Sequence, residues 1–122
     1  MKIQIRTKYT PKGDYEIFNV GMYYDKSPAL KIFNMNGEPQ LTVTVCIDHA
    51  KPAAGNVFVK DYSENEGVMD ALIAANILKE AIGTHISGFV TIYECPMTTA
   101  FLKSGAYTAE EADQATTNAK TS

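Results

Sequence analysis

Residues 57–67 read VFVKDYSENEG, and the last seven positions hold three carboxylates, Asp61, Glu64 and Glu66, interleaved with Tyr62, Ser63 and Asn65. Carboxylates this close can bind a divalent cation, carry out acid–base chemistry, or begin a helix. A calcium loop is the sharpest of these ideas, because Asp61, Ser63 and Asn65 occupy relative positions one, three and five. It fails at the sixth position, which is Glu66 instead of Gly, and at the twelfth, which is Leu72 instead of a bidentate Glu. A less regular Mg²⁺ site on Asp61, Glu64 and Glu66 is the remaining metal alternative. The structural alternative is a capping box: Ser63 and Glu66 have S-x-x-E spacing, and Glu64 and Glu66 in a first helical turn complement the positive end of the helix dipole. The helix start is the leading reading, and no metal or cofactor is expected. The same charges disfavour a phosphate cradle at this point.

Cys46 and His49 form a C-x-x-H pair that His85 and Cys95 could complete as four zinc ligands. Along a continuous strand, however, Cys46 and His49 point to opposite faces, so a buried thiol and a surface histidine are expected instead. The same parity weakens a Cys–His nucleophilic pair. The chain contains no G-x-S-x-G, phosphate-loop, dinucleotide or H-E-x-x-H motif, and an enzyme is not expected. Seven tyrosines without a tryptophan make a binding surface plausible on composition, with Tyr23, Tyr24, Tyr62 and Tyr93 the positions of interest.

The elements that would position these residues follow from periodicity. KIQIRTKY alternates with Ile3, Ile5 and Tyr9 on one parity, TPKGD turns, and YEIFNVGMYYD places Phe18, Val20, Met22 and Tyr24 on one side of a second strand. Asn36-Gly37 marks a further hairpin turn, followed by a strand with Leu41, Val43, Val45 and Ile47 toward the core. VFVKD is a short strand. Val68, Met69, Leu72, Ile73, Asn76 and Ile77 then recur at helical spacing, which predicts a helix over 64–79. SGFVTIYEC is apolar on both parities, as an interior strand would be. The strands around the helix are candidates for a parallel pair with a right-handed crossover.

The expected fold class is α+β: a twisted, mostly antiparallel sheet of five to six strands with one main helix packed on a face. Residues 1–107 are read as a single domain and 108–122 as a short helical or frayed tail, since Thr108 and Glu111 have capping-box spacing with little apolar anchorage behind them. A formal charge of -3 and a pI near 5.3 argue against general nucleic-acid binding. No apolar run suggests a membrane span or a signal peptide, so a cytoplasmic location is expected, with both cysteines reduced.

VFVKDYSENEGVMDALIAANIL followed by SGFVTIYEC resembles a family of short proteins of unknown function from bacteriophages and mobile elements of gut bacteria, over roughly residues 56–95. The chain differs from that pattern in continuing well past Cys95. The resemblance implies a genomic setting and no activity: a small phage or mobile-element accessory protein in the host cytoplasm. The expectation that follows is a non-catalytic protein that binds and inhibits a host protein, an anti-phage defence component among the candidates, through Asp61, Tyr62, Glu64 and Glu66. The alternative is sequestration of a nucleotide-derived signal by Arg6, Lys8, Tyr9 and Lys60, for which a homo-oligomer would suit. A metal-dependent enzyme on the acidic cluster is a third and weaker idea.

Overall fold

Alternating apolar residues at the N-terminus build a hairpin: β1 (Lys2–Ile5) pairs antiparallel with β2 (Gly13–Met22), placing Ile3 opposite Tyr15. The computed structural model describes residues 1–104. β3 (Pro28–Asn34) and β4 (Pro39–Thr42) extend this sheet in the order β1-β2-β3-β4. The turn between them is the Asn36-Gly37 turn the sequence predicts. Asn34 Oδ1 accepts from the amides of Asn36 and Glu38, and Gly37 takes φ 82°, a left-handed conformation that glycine adopts without a Cβ penalty.

A second sheet holds β5 (Asn56–Lys60), β6 (Gly83–Ser87) and β7 (Val90–Pro96) in the order β5-β7-β6. Between β5 and β6 come a single 3₁₀ turn, Ser63–Asn65, and the main helix α1 (Val68–Ala74); α2 (Thr99–Leu102) follows β7. The structure is thus mostly antiparallel strand with one main helix, as the periodicity predicts. It differs in having two sheets, of four and three strands, in place of one sheet of five or six.

The division falls inside the run predicted as one strand from Leu41 to Ile47. Val43 still donates from its amide to Leu30 O at 2.9 Å, but its own carbonyl accepts from Lys60 N of β5 at 3.1 Å. Thr44 then replaces a backbone acceptor with its hydroxyl, which takes the Leu30 amide at 3.0 Å, and Val45 N donates to Phe58 O. Residues 43–45 therefore leave β3 for β5 and hinge the two sheets together. These bonds pair backbone groups that the crossing would otherwise strand in a buried junction.

Packing explains which predicted faces turned inward. Ile3, Ile5, Tyr15, Ile17, Leu30, Ile32, Leu41 and Val43 form one wall of the main core, closed by Val57, Val59, Val68, Leu72, Ile77, Leu78, Cys95 and Phe101. Each such burial stabilises the fold by about 1.5–3 kcal/mol before chain entropy is subtracted. β5 is buried on both sides, because Phe58 points away from Val57 and Val59 into a second cluster with Ile47 and Ile92. In β2 the shared side of Phe18, Val20, Met22 and Tyr24 is the outward one. Phe18 is covered by an edge-on ring contact with Phe33 at 5.9 Å, while Val20, Met22 and Tyr24 are exposed beyond a bulge between Asn19 and Gly21.

Three further expectations are corrected. β5 and β7 run antiparallel, with Val57 opposite Cys95, because β6 forms a hairpin with β7 and reverses the chain; the strands on either side of the helix are not a parallel pair joined by a crossover. The helix spans Val68–Ala74, not 64–79, since residues 63–65 form the 3₁₀ turn and Asn76 turns the chain out of the helix at φ 61°. Tyr9 is not a strand residue: β1 ends at Ile5, and the hydroxyl and amide of Thr7 fold the chain back on Thr10. The reading of 108–122 as a tail lies outside the described residues. Among those described, no helix is long and apolar enough to cross a membrane.

Candidate functional site

The acidic segment sits at the hinge between the two sheets, and two of its residues point inward to hold it there. Asp61 is the helix cap. Its Oδ1 accepts from the Gly67 amide at 2.6 Å and its Oδ2 from the Met69 amide at 3.1 Å, so a single carboxylate satisfies two otherwise free N–H groups at the start of α1. The expected Ser63–Glu66 capping box is absent: neither the 3₁₀ turn nor α1 has a cap bond from its own N-cap side chain, and Glu66 N donates to the backbone carbonyl of Ser63. The segment is a helix start, as predicted, but the residue that caps it lies six positions upstream of Gly67. Gly67 itself takes φ 94°, and a Cβ there would lie 3.5 Å from the Thr7 side chain.

Asn65 is the second inward residue and is 1% exposed. Its Nδ2 donates to Thr42 O at 2.7 Å and to Lys60 O at 3.3 Å, which are the last residues of β4 and β5. One amide thus ties the 3₁₀ turn to both sheets at their junction, while its Oδ1 is buried with no hydrogen-bond partner.

Glu64 and Glu66 point outward. The Glu64 carboxyl is held below the usual carboxylate range, first by its own backbone N–H and then by the Ser63 hydroxyl, with Lys60 adding attraction. Glu66 meets Lys8 at 3.1 Å, and Lys8 lies 5.4 Å from the centroid of the exposed Tyr9 ring. The hydrogen bond that Lys8 donates to Glu66 raises the Lys8 pKa. The two predicted residue sets, one acidic and one basic, therefore meet at this corner through Lys8 and Glu66. This contact joins residues 58 positions apart, and nothing local in the sequence announces it.

Other predicted residues are placed elsewhere. Tyr62 is half-buried against the Phe58 and Ile92 cluster, Lys60 ends β5, and Arg6 lines a separate open hollow of about 380 Å³ with Gln4, Ile5 and Lys12. Asp61 turns both oxygens to amides of its own chain, whereas Glu64 and Glu66 are exposed. Among the described residues, no three His, Cys, Asp or Glu side chains group to hold a metal ion. Tyr23 and Tyr24 tie the end of β2 to the 44–48 segment: Tyr23 donates to Thr44 O at 3.0 Å, and Tyr24 donates to Asp48, which helps push its pKa up to about 12.

Both cysteines are free. Cys95 is in the main core, whereas His85 packs against Phe58 at 4.8 Å and lies 6.4 Å from the His49 ring, so Cys95 and His85 do not meet and, among the described residues, the zinc set does not assemble. Burial pushes the Cys95 thiol up to about 11, with the Asp61 and Glu94 carboxylates adding to it, and burial likewise raises Cys46. Reactivity follows the thiolate. At neutral pH, iodoacetamide should leave Cys95 unmodified in the folded protein and alkylate it only in denaturant; rapid native labelling of Cys95 by peptide mass spectrometry would contradict this placement.

Comparison with protein-family models, curated proteins and solved structures finds no match to the chain.

Proposed function

We propose that the chain is a small phage or mobile-element accessory protein that acts in the host cytoplasm as a non-catalytic binder and inhibitor of a host protein. The setting is what the phrase at 56–95 implies. The observation that carries the binding reading is the division of the acidic segment: Asp61 and Asn65 fix its backbone, leaving Glu64 and Glu66 exposed, with Glu66 paired to Lys8 next to Tyr9. A rigid corner of this kind offers an aromatic anchor and charges of both signs at little ordering cost, which favours recognition. The contact set is therefore Tyr9, Lys8, Glu64 and Glu66, with Asp61 and Tyr62 supporting it from within.

Native mass spectrometry of the tagged protein, recovered gently from cells carrying its source element, tests this reading. The expected result is an added mass of one partner protein that disappears in Glu64→Lys/Glu66→Lys and in Tyr9→Ala, while circular dichroism stays unchanged. A partner retained by those variants, or turnover of a substrate by the purified chain, would overturn it.

One observation favours the small-molecule reading as a second possibility: Arg6 and Lys12 share the lining of the same open hollow, as a pair of cations facing an anionic ligand would. Release of nucleotide absorbance on denaturing the purified protein would support it over a protein partner.

A further inference from the structure

His49 and His85 are the only histidines of the chain, and the fold brings them together: their rings lie 6.4 Å apart, centroid to centroid, and are tilted by 56°. Each is placed by a separate element. Ile47 and Ala50 close a tight turn through a single antiparallel bridge, with Asp48 and His49 at its tip. Ile47 is buried with Phe58 and Ile92, Ala50 packs on the same cluster, and the Tyr24 hydroxyl holds Asp48 at 2.9 Å, so the turn is anchored at both ends and beside the histidine. His85 stands on β6 opposite Ile92 of β7, with its ring 4.8 Å from that of Phe58. The cluster that seats the turn therefore also seats the second ring.

A carboxylate stands behind His85. Glu94 Oε2 accepts from Ala53 N at 3.0 Å and from Asn56 Nδ2 at 2.8 Å, which fixes that side chain and leaves its Oε1 3.7 Å from His85 Nε2. The Asn56 bond first, with Ala53 and His85 adding to it, holds the Glu94 carboxyl below the usual carboxylate range. An imidazole with a carboxylate at one nitrogen is the usual state of a metal-binding histidine, because the carboxylate sets the ring orientation and makes the other nitrogen a better donor to the metal. With Nε2 turned to Glu94, Nδ1 is the nitrogen left for an ion.

We infer that His49 and His85 form a binding site for a divalent transition-metal ion of the zinc type. Metal–nitrogen distances of about 2.0–2.1 Å put the centroids of two rings on one ion about 5–6.5 Å apart, depending on the angle at the metal. The observed 6.4 Å is at the wide end, and His49, which is exposed, closes the rest by side-chain rotation. Imidazole selects Zn²⁺, Cu²⁺ and Ni²⁺ over Mg²⁺ and Ca²⁺, which take oxygen ligands. A tightly held zinc has three or four protein ligands, and among the described residues no third side chain joins these two, so the ion exchanges readily and water fills its other positions. Two of the four residues singled out as zinc ligands from the sequence thus do meet, while Cys95 stays in the main core. A bound ion would pin the 47–50 turn to β6. This inference does not depend on the host-partner reading, which concerns the corner at 61–66.

Isothermal titration of the full chain with Zn²⁺, on protein carrying no histidine tag, tests it together with NMR of the two imidazoles. One Zn²⁺ should bind per chain and shift the signals of both rings, and Mg²⁺ should shift neither. Zn²⁺ should also raise the melting temperature, as any ligand of the folded state does. His49→Gln changes an exposed side chain, so it should keep the parent's melting temperature without metal, lose the rise with Zn²⁺, and bind the ion at least about ten-fold more weakly. His85→Gln should weaken binding in the same way, and Cys46→Ser should bind as the parent does. No Zn²⁺ binding, a shift of one ring only, parental affinity in His49→Gln, or loss of binding in Cys46→Ser would each overturn the inference.

Discussion

Asn65→Asp should destabilise the fold by about 3 kcal/mol, the largest effect expected of any change in the 61–66 segment. Asn65 is almost wholly buried, and its Nδ2 donates to the carbonyls of Thr42 and Lys60. A carboxylate there removes both donated bonds and faces the Thr42 and Lys60 carbonyls with a negative charge. Each consequence has the same sign. The deficit should shrink as pH falls, because protonating the introduced carboxyl removes its charge and restores one donor. Asn65→Ala should cost about 2 kcal/mol, the loss of two hydrogen bonds without the charge. Urea denaturation checks this. The midpoint should fall with an unchanged slope, as expected when stability changes and the surface exposed on unfolding does not.

Asp61→Ala should cost about 2 kcal/mol through loss of the helix cap. Its two oxygens serve the amides of Gly67 and Met69, and both bonds are to a charged acceptor, the stronger class. Asp61→Asn keeps one acceptor oxygen and presents an N–H where the other stood, so it should lose about half as much. The local signature is hydrogen exchange: the Gly67 and Met69 amides should lose protection in Asp61→Ala by more than global destabilisation accounts for. Full protection of both amides in that variant would mean that another group caps α1.

These two residues show where sequence reasoning reached and where it stopped. The switch from a period of two to a period near 3.6 at Ser63 is a local signal, and it locates the strand-to-helix transition within a few residues. The S-x-x-E spacing is local too, but it names the wrong cap. Gly67 permits a left-handed turn that starts α1 later, and Asp61 reaches across that turn from the end of β5. Spacing within one turn cannot reveal a cap that arrives over six residues of irregular backbone.

Asn65 was unreadable for a related reason. Flanked by Glu64 and Glu66, it looks like part of a solvated acidic run, and its burial depends on Thr42, twenty-three residues away. The same limit explains the single sheet expected and the two observed. Leu41, Val43, Val45 and Ile47 alternate cleanly, and alternation reports which side of a strand is covered but not when the strand exchanges one neighbour for another. Thr44, placed on the polar parity, is buried because its hydroxyl completes the ladder at that exchange. By contrast, SGFVTIYEC was legible as an interior strand because its apolar residues fall on both parities: β7 lies between β5 and β6, with Cys95 in the main core and Ile92 in the second cluster. β6 itself was missed: Thr84 and Ile86 alternate with Gly83 and His85 over only five residues, a pattern too short to announce a strand.

The central claim is that residues 61–66 divide into an inward pair that builds the corner and an outward pair that presents it. Equilibrium unfolding of four single variants, Asp61→Ala, Asn65→Ala, Glu64→Ala and Glu66→Ala, tests this most directly. The division predicts losses of about 2 kcal/mol for each of the first two and changes within about 0.5 kcal/mol for the last two, as for surface positions. Equal losses across all four, or stability intact in Asp61→Ala and Asn65→Ala, would contradict it.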